Sequence, residues 1–263
     1  MLFICIYLIV AGLPAVLEIG ITDFLFGTEW AGKQGQFGIL PFILTSVAGT
    51  AGAVLVGVPV GILTAMFLAK VAPPKAARVI RTAVELLAGI PSIVYGLVGM
   101  IVLVPAIQRT FQLASGATLL AAIVVLAVMI LPSIINVAET ALQAVPREYE
   151  EASLALGATH IETIFRISLP AARSGVATAV VLGVGRAIGE AMAIIMVSGN
   201  VPNMPESLFA PVRFLTTAIA SEMSYAAVGS LWQQALYSVG LVLFLFIMII
   251  NVILNVCIKN RKE

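Results

Sequence analysis

From Ala117 to Val137 the chain runs without a single ionisable side chain. A helix of that length spans about 30 Å, the thickness of a bilayer's hydrocarbon core. Comparable apolar stretches recur along the sequence. Six helices are expected, at roughly Leu2–Leu17, Ile39–Ala69, Val84–Gln108, Ala117–Val137, Ala172–Ser198 and Gln234–Ile258. Within lipid a helix satisfies its own backbone polar groups, so the fold class predicted is an all-α membrane protein.

Composition supports this and excludes other classes. Hydrophobic residues make up 61% of the 263 residues and charged residues only 10%, against about a quarter charged in soluble domains. Such a chain has too few charges to cover a water-facing surface. The net charge of +1 argues against a nucleic-acid partner, since no basic patch is available to neutralise phosphates in number. Cys5 and Cys257 stand near opposite ends and define no disulfide framework, and His160 is the lone histidine. A zinc site is therefore not expected. Met1 leads into Leu2-Phe3-Ile4 without a basic segment, a poor match to a cleaved secretory signal. No soluble domain interrupts the spans, so residues 1–263 read as one transmembrane domain.

The connections set the orientation. Lys70–Arg81 contains Pro73-Pro74, Glu139–Pro170 is the longest polar segment, and Asn200–Gln233 carries Pro202, Pro205 and Pro211. One side holds Lys70, Lys75, Arg78, Arg81, Arg147, Arg166, Arg173, Lys259, Arg261 and Lys262; the other holds Lys33, Arg109 and Arg213. Basic residues accumulate on the cytoplasmic side, so both termini are expected there, with residues 139–170 inside and residues 200–233 outside.

The cytoplasmic segment carries the most specific pattern. It reads Glu151-Ala152-Ser153-Leu154-Ala155-Leu156-Gly157, then nine residues, then Ile167-Ser168-Leu169-Pro170. Acidic residues near Glu148 suit a helix N-terminus, Ala and Leu favour helix, and Gly157 can supply a left-handed C-cap. A second short helix is expected at Ile161–Ile167. This pattern resembles the EAA loop of ABC importer permeases, with Ser153 standing where a second alanine is usual. The resemblance implies a coupling helix that docks on a separate ATP-hydrolysing subunit, with Glu151, Ala152, Gly157, Ile167, Leu169 and Pro170 at the motif positions. The chain itself has no G-x-x-x-x-G-K-[ST] phosphate loop. ATP and magnesium are thus expected on that partner, with no cofactor in this chain.

The fifth apolar stretch contains Gly185-Arg186-Ala187-Ile188-Gly189-Glu190. A charge at mid-bilayer costs about 2.5–3.5 kcal/mol on insertion scales. Arg186 and Glu190 are spaced to share one helix face, and Gly185 and Gly189 to admit a neighbouring helix. Two readings stand. The pair is a structural ion pair, or it is an anion site on a transport path, where the guanidinium fork suits phosphate oxygens and Glu190 accepts a hydrogen bond from an anion that still carries a proton. Phosphate does so near neutral pH and sulfate does not.

The block Gly185-Arg186-Ala187-Ile188-Gly189-Glu190-Ala191-Met192-Ala193, with Ser198-Gly199-Asn200, resembles the phosphate-specific (Pst) ABC transporter permease, C-type subunit. So do Glu85-Leu86-Leu87-Ala88-Gly89-Ile90-Pro91-Ser92-Ile93-Val94-Tyr95-Gly96 and Phe37-Gly38-Ile39-Leu40-Pro41. Ala191 departs from the threonine common in that family. The resemblance implies a type I importer permease fold in a bacterial inner membrane and a role in transport for Arg186 and Glu190. It also implies as partners a homologous second permease, a dimer of ATP-binding subunits and an external phosphate-binding protein. Alternatives are a permease for sulfate or molybdate, a secondary transporter or channel, which leaves the cytoplasmic motif unexplained, and an intramembrane enzyme, for which no nucleophile–base pair or metal set is visible.

Weaker signals complete the reading. Glu85 near Arg78 and Arg81 suggests an interfacial ion pair or snorkelling. Glu139 is expected to face cytoplasmic water. Gly57 and Gly61 predict a close helix contact, and Gly89 with Pro91 a kink or a helix break. Ser207–Met223 reads as an interfacial helix or a docking surface, and Trp30, Trp232 and Tyr237 as interfacial anchors.

Overall fold

The computed structural model describes residues 2–259. Arg261 and Lys262 of the basic count, and the side chain of Cys257, lie outside the described residues.

Among the described residues, four helical stretches are long and apolar enough to cross a membrane: Leu40–Val71, Ser92–Thr110, Leu119–Gln143 and Leu231–Ile253. A fifth candidate is Arg173–Gly189, which meets the preceding helical stretch His160–Ala171 at 74°. The shorter apolar helix Cys5–Ile19, part of Leu2–Ile19, brings the total to about six, as the hydropathy pattern predicts. Leu55, Ile101, Val102, Ile249 and Val252 are exposed, as side chains that face lipid rather than water would be.

Two expected spans are interrupted. Val84–Gly89 belongs to the amphipathic helix Pro74–Gly89, not to the third span. Pro73 and Pro74 open that helix, where a missing N–H costs nothing. It ends before Ile90-Pro91, and the crossing restarts at Ser92, because Pro91 disfavours helical geometry at the residue before it. The fifth span likewise stops at Gly189 and resumes at Met192.

The chain divides into two compact units. The first comprises Met1–Gly52, Pro91–Leu126 and Ile188–Ile250. Its core gathers Phe24, Trp30, Phe37, Ile39, Phe42, Leu215 and Leu236, all buried. A small antiparallel hairpin pairs Trp30 with Phe37 and Ala31 with Gln36. Helix Leu119–Gln143 begins against loop carbonyls: Leu119 N–H donates to Ala210 O at 3.0 Å and Leu120 N–H to Leu208 O at 2.8 Å.

Ser207–Met223, read as an interfacial helix or a docking surface, is divided: Leu208 and Phe209 are exposed, and the helix that follows is rooted in the core. Helix Leu215–Glu222 buries Leu215, Thr216, Thr217 and Ala218, and the Leu215 N–H donates to Ser46 Oγ at 3.0 Å. Trp30 is also core rather than an interfacial anchor, being 6% exposed, while Tyr237 meets the hydroxyl of Tyr7 at 3.3 Å.

The second unit comprises Ala53–Ile90, Ala127–Ala187 and Asn251–Glu263. Here the small-residue expectation holds at Gly57 and Gly61. A Cβ at Gly57 would lie 2.8 Å from Ile130 Cδ1, and one at Gly61 2.7 Å from Ile134 Cγ2. Substitution would force these helices apart. A smaller cluster joins Leu68, Ala77, Val84 and Ile135, seating the Pro74–Gly89 helix by its apolar face. Glu139 is 6% exposed, against the expectation that it faces water. It accepts from Arg81 Nε at 2.6 Å and from Gln143 Nε2 at 2.9 Å. Arg81 therefore pairs with Glu139 across the unit, and Glu85, the partner suggested by sequence proximity, is exposed.

Candidate functional site: a membrane arginine and a docking segment

Arg186 lies in helix Arg173–Gly189 of the second unit. Its Nη1 donates to Ser133 Oγ at 3.2 Å, the one hydrogen bond it makes among the described residues. A guanidinium carries five N–H groups. The remaining donors are not sealed off from solvent, since no Arg186 atom is both buried and unpartnered.

Glu190 does not extend that helix face. The helix ends at Gly189, which leaves Glu190 at the boundary, and no Arg186–Glu190 ion pair is found among the described residues. Glu190 turns to the next helix, Met192–Val197, and its Oε1 accepts the Ala193 N–H at 3.0 Å. A helix's first N–H groups lack internal partners, and a carboxylate there meets that need. The break is held from the side as well: Thr216 Oγ1 donates to Glu190 O at 2.7 Å. Spacing alone suggested an i, i+4 pair; no sequence signal marks Thr216 or Ser133 as partners.

Gly185 and Gly189 do not carry the expected helix contact within this chain, because a Cβ at either would meet nothing within 4 Å. Close approach in this helix falls at Gly175, against Ala141 Cβ at 2.3 Å, and at Gly183, against Ile134 Cδ1 at 2.9 Å.

The docking segment folds as its sequence suggests. Helix Arg147–Ala155 has Glu148 and Glu150 in its first turn and no buried residue. Gly157 follows it at φ +88°. Its N–H donates to Leu154 O at 2.9 Å and the Ala158 N–H to Ser153 O at 3.2 Å, the paired bonds of a Schellman stop. Thr159 and Glu162 form a capping box on His160–Thr163. A π-helical turn, Ile164–Ser168, then leads to Leu169–Ala171. The expected second helical stretch, Ile161–Ile167, thus lies wholly within His160–Ala171, part of it as that wider turn.

Glu151, Ala152 and Gly157 are exposed, Ile167 and Leu169 half-buried, and Pro170 exposed. Leu156, at 90% exposure, stands among them. Neighbouring Glu150 is engaged instead, 2.5 Å from Lys70 Nζ. Burial pushes its carboxyl up, but hydrogen bonds from Lys70 and Ser168 and the Lys70 charge hold it below the usual value.

A second charged group sits in the first unit. Glu222 pairs with Arg213 and accepts from both indoles, Trp30 Nε1 at 2.8 Å and Trp232 Nε1 at 2.9 Å. Arg213 also donates from Nε and Nη2 to Asn200 O, at 3.0 and 2.8 Å. The sequence offered Trp232 and Arg213 as surface features; the structure joins them through Glu222 in one hydrogen-bonded cluster.

Long apolar helices interrupted by breaks define a multi-pass membrane protein. Residues 57–260 match the family described as binding-protein-dependent transport system inner membrane component. The chain belongs to that family.

Among curated relatives, it is 42% identical over 256 residues to the probable ABC transporter permease protein YqgH of Bacillus subtilis, covering 94% of this chain and 83% of that one. It is 37% identical to the phosphate transport system permease protein PstC of Mesorhizobium japonicum, over 87% of this chain and 75% of that protein. Against PstC of Pasteurella multocida it is 34% identical, over 99% of this chain and 89% of the relative. Among solved structures, a chain of the inward-facing MetNI methionine ABC transporter superposes with a TM-score of 0.67 at 20% identity. That match covers 84% of this chain and 95% of the other, and it gives the fold as that of a type I importer permease.

Proposed function

We propose that this chain is one permease subunit of an ATP-driven inorganic phosphate importer. The observation that carries the reading is its 34–37% identity, across most of its length, to permeases named for phosphate transport. Physical chemistry agrees with it. Arg186 is a fixed positive charge in an apolar helix with N–H donors to spare, suited to an oxyanion in transit. Glu190 spends one carboxylate oxygen on Ala193, and its remaining lone pairs can accept the proton that phosphate carries and sulfate lacks.

The assembly is a single permease domain paired with a homologous second permease, for which the open Gly185 and Gly189 offer close approach. Two ATP-binding subunits hold ATP and magnesium, and one of them docks on the Arg147–Gly157 segment through Glu151, Ala152 and Leu156; this chain carries no cofactor. An external phosphate-binding protein delivers the substrate on the side of residues 200–233, where Tyr225 and Val228 are exposed. Both termini lie in the cytoplasm, as the basic residues favour.

The test is uptake of labelled phosphate by vesicles containing this chain with its second permease, ATP-binding subunits and binding protein. ATP-dependent accumulation that excess sulfate does not compete away is expected, and Glu190→Gln should admit sulfate. Uptake that needs no ATP-binding subunit, or that sulfate blocks equally in the wild type, overturns the reading.

A further inference from the structure

Two π-helical turns occur in the second unit, Phe67–Val71 at the end of the Leu40–Val71 crossing and Ile164–Ser168 beside the docking segment. Such turns are uncommon and concentrate at functional sites. One side chain from each reaches the same atom. Lys70 Nζ lies 2.5 Å from Glu150 Oε1 and Ser168 Oγ donates to that oxygen at 2.9 Å. Glu150 belongs to the helix Arg147–Ala155, immediately before the motif residue Glu151. The surroundings reinforce the junction. His160 Nε2 is hydrogen-bonded to Lys70 O at 3.0 Å, Arg81 Nη2 donates to Leu68 O at 3.4 Å, and the hydroxyls of Ser153 and Thr163 meet at 2.9 Å.

This polar junction is what holds the docking helix. Helix Arg147–Ala155 has nine residues and buries none of them, so apolar packing gives it little hold, and a free helix of that length is marginal. The Lys70 and Glu150 side chains are only 9% and 19% accessible. Removing either partner would leave the other charge largely desolvated and uncompensated, which makes the link stiff rather than decorative.

We propose that Lys70, Glu150 and Ser168 are positioning residues that transmit movement of the docking helix to the Leu40–Val71 crossing. This rests on the importer reading, in which an ATP-binding subunit grips that helix. Glu151 and its exposed neighbours meet the motor, and Glu150, one position earlier, carries the displacement inward. Loss of the junction leaves the motor attached but slipping.

The experiment uses the full transporter in vesicles and reads phosphate accumulated per ATP hydrolysed, alongside the ATP-binding subunit retained on purification. Wild-type uptake is established first; its absence would count against the importer reading itself, separately from this one. Lys70→Met and Glu150→Gln are each expected to lower uptake per ATP by about tenfold with the motor still bound, and the double variant to be no worse than either single one, as coupled partners require. Ser168→Ala, a milder change that keeps the ion pair, should lower it by about two- to threefold. Wild-type ratios in all variants, losses that multiply in the double variant, or loss of the bound ATP-binding subunit would overturn the proposal. Should the charge variants fail to accumulate in the membrane, Ser168→Ala decides: an unchanged ratio overturns it.

Discussion

Two arginines in apolar surroundings are treated in opposite ways. Arg213 is heavily engaged: it pairs with Glu222, donates twice to Asn200 O, and shares Glu222 with two indole N–H groups. Among the described residues Arg186 makes one hydrogen bond, to Ser133. A low-dielectric interior tolerates a charge when its bonding capacity is met, so the first arrangement fixes structure. The second leaves capacity for something that comes and goes. In the proposed function it is these unfilled donors, more than the charge, that an oxyanion in transit would use.

That contrast is easily broken. The largest effect is expected at Arg186→Ala: phosphate uptake should fall by about a hundredfold or more, the scale of losing a charged transition-state contact, with membrane abundance and motor binding retained. Arg213→Met should do the reverse. Leaving Glu222 without its cation is expected to cost about 3–5 kcal/mol of stability, seen as a lowered unfolding midpoint in detergent, while the surviving protein transports. If the Arg213 variant folds normally and is silent in uptake, the two roles have been exchanged.

A smaller effect sharpens the same comparison at Glu150. Its carboxyl is held below its ordinary value of 4.5, so the Lys70 junction contributes stability that is complete above the unfolded pKa and is lost as pH falls through the lowered one. Amide exchange in the Arg147–Ala155 helix, corrected for intrinsic rates, should stay flat from neutrality to about pH 5 and rise below it. Protection that persists under strongly acid conditions would show that the junction does not hold this helix.

The apolar runs and the docking motif were legible in the sequence because both depend on local pattern: helix length against bilayer thickness, and a glycine where φ +88° is required. Of the two helix breaks, the one at Gly89 and Pro91 was signalled by those residues, although the span boundaries ran through it. The one beside Glu190 was not, and a continuous span was expected there. Glu190 was matched to Arg186 by spacing, yet the terminal N–H of Ala193 claims its carboxylate once the helix has ended at Gly189. Partners brought together by tertiary structure were invisible for the same reason. Glu139 meets Arg81 across 58 residues and Trp30 meets Glu222 across 192, and neither separation leaves a periodic trace. Small residues marked a close contact within one chain at Gly57 and Gly61, whereas at Gly185 and Gly189 the faces are open within this chain.

The most direct test of the central claim is the initial rate of ATP-dependent phosphate uptake against phosphate concentration for Arg186→Lys. Lysine keeps the charge and discards the planar fork of donors. If those donors hold the passing oxyanion, the maximal rate falls by about tenfold or more although the charge remains. A curve superimposable on the wild type would contradict the assignment.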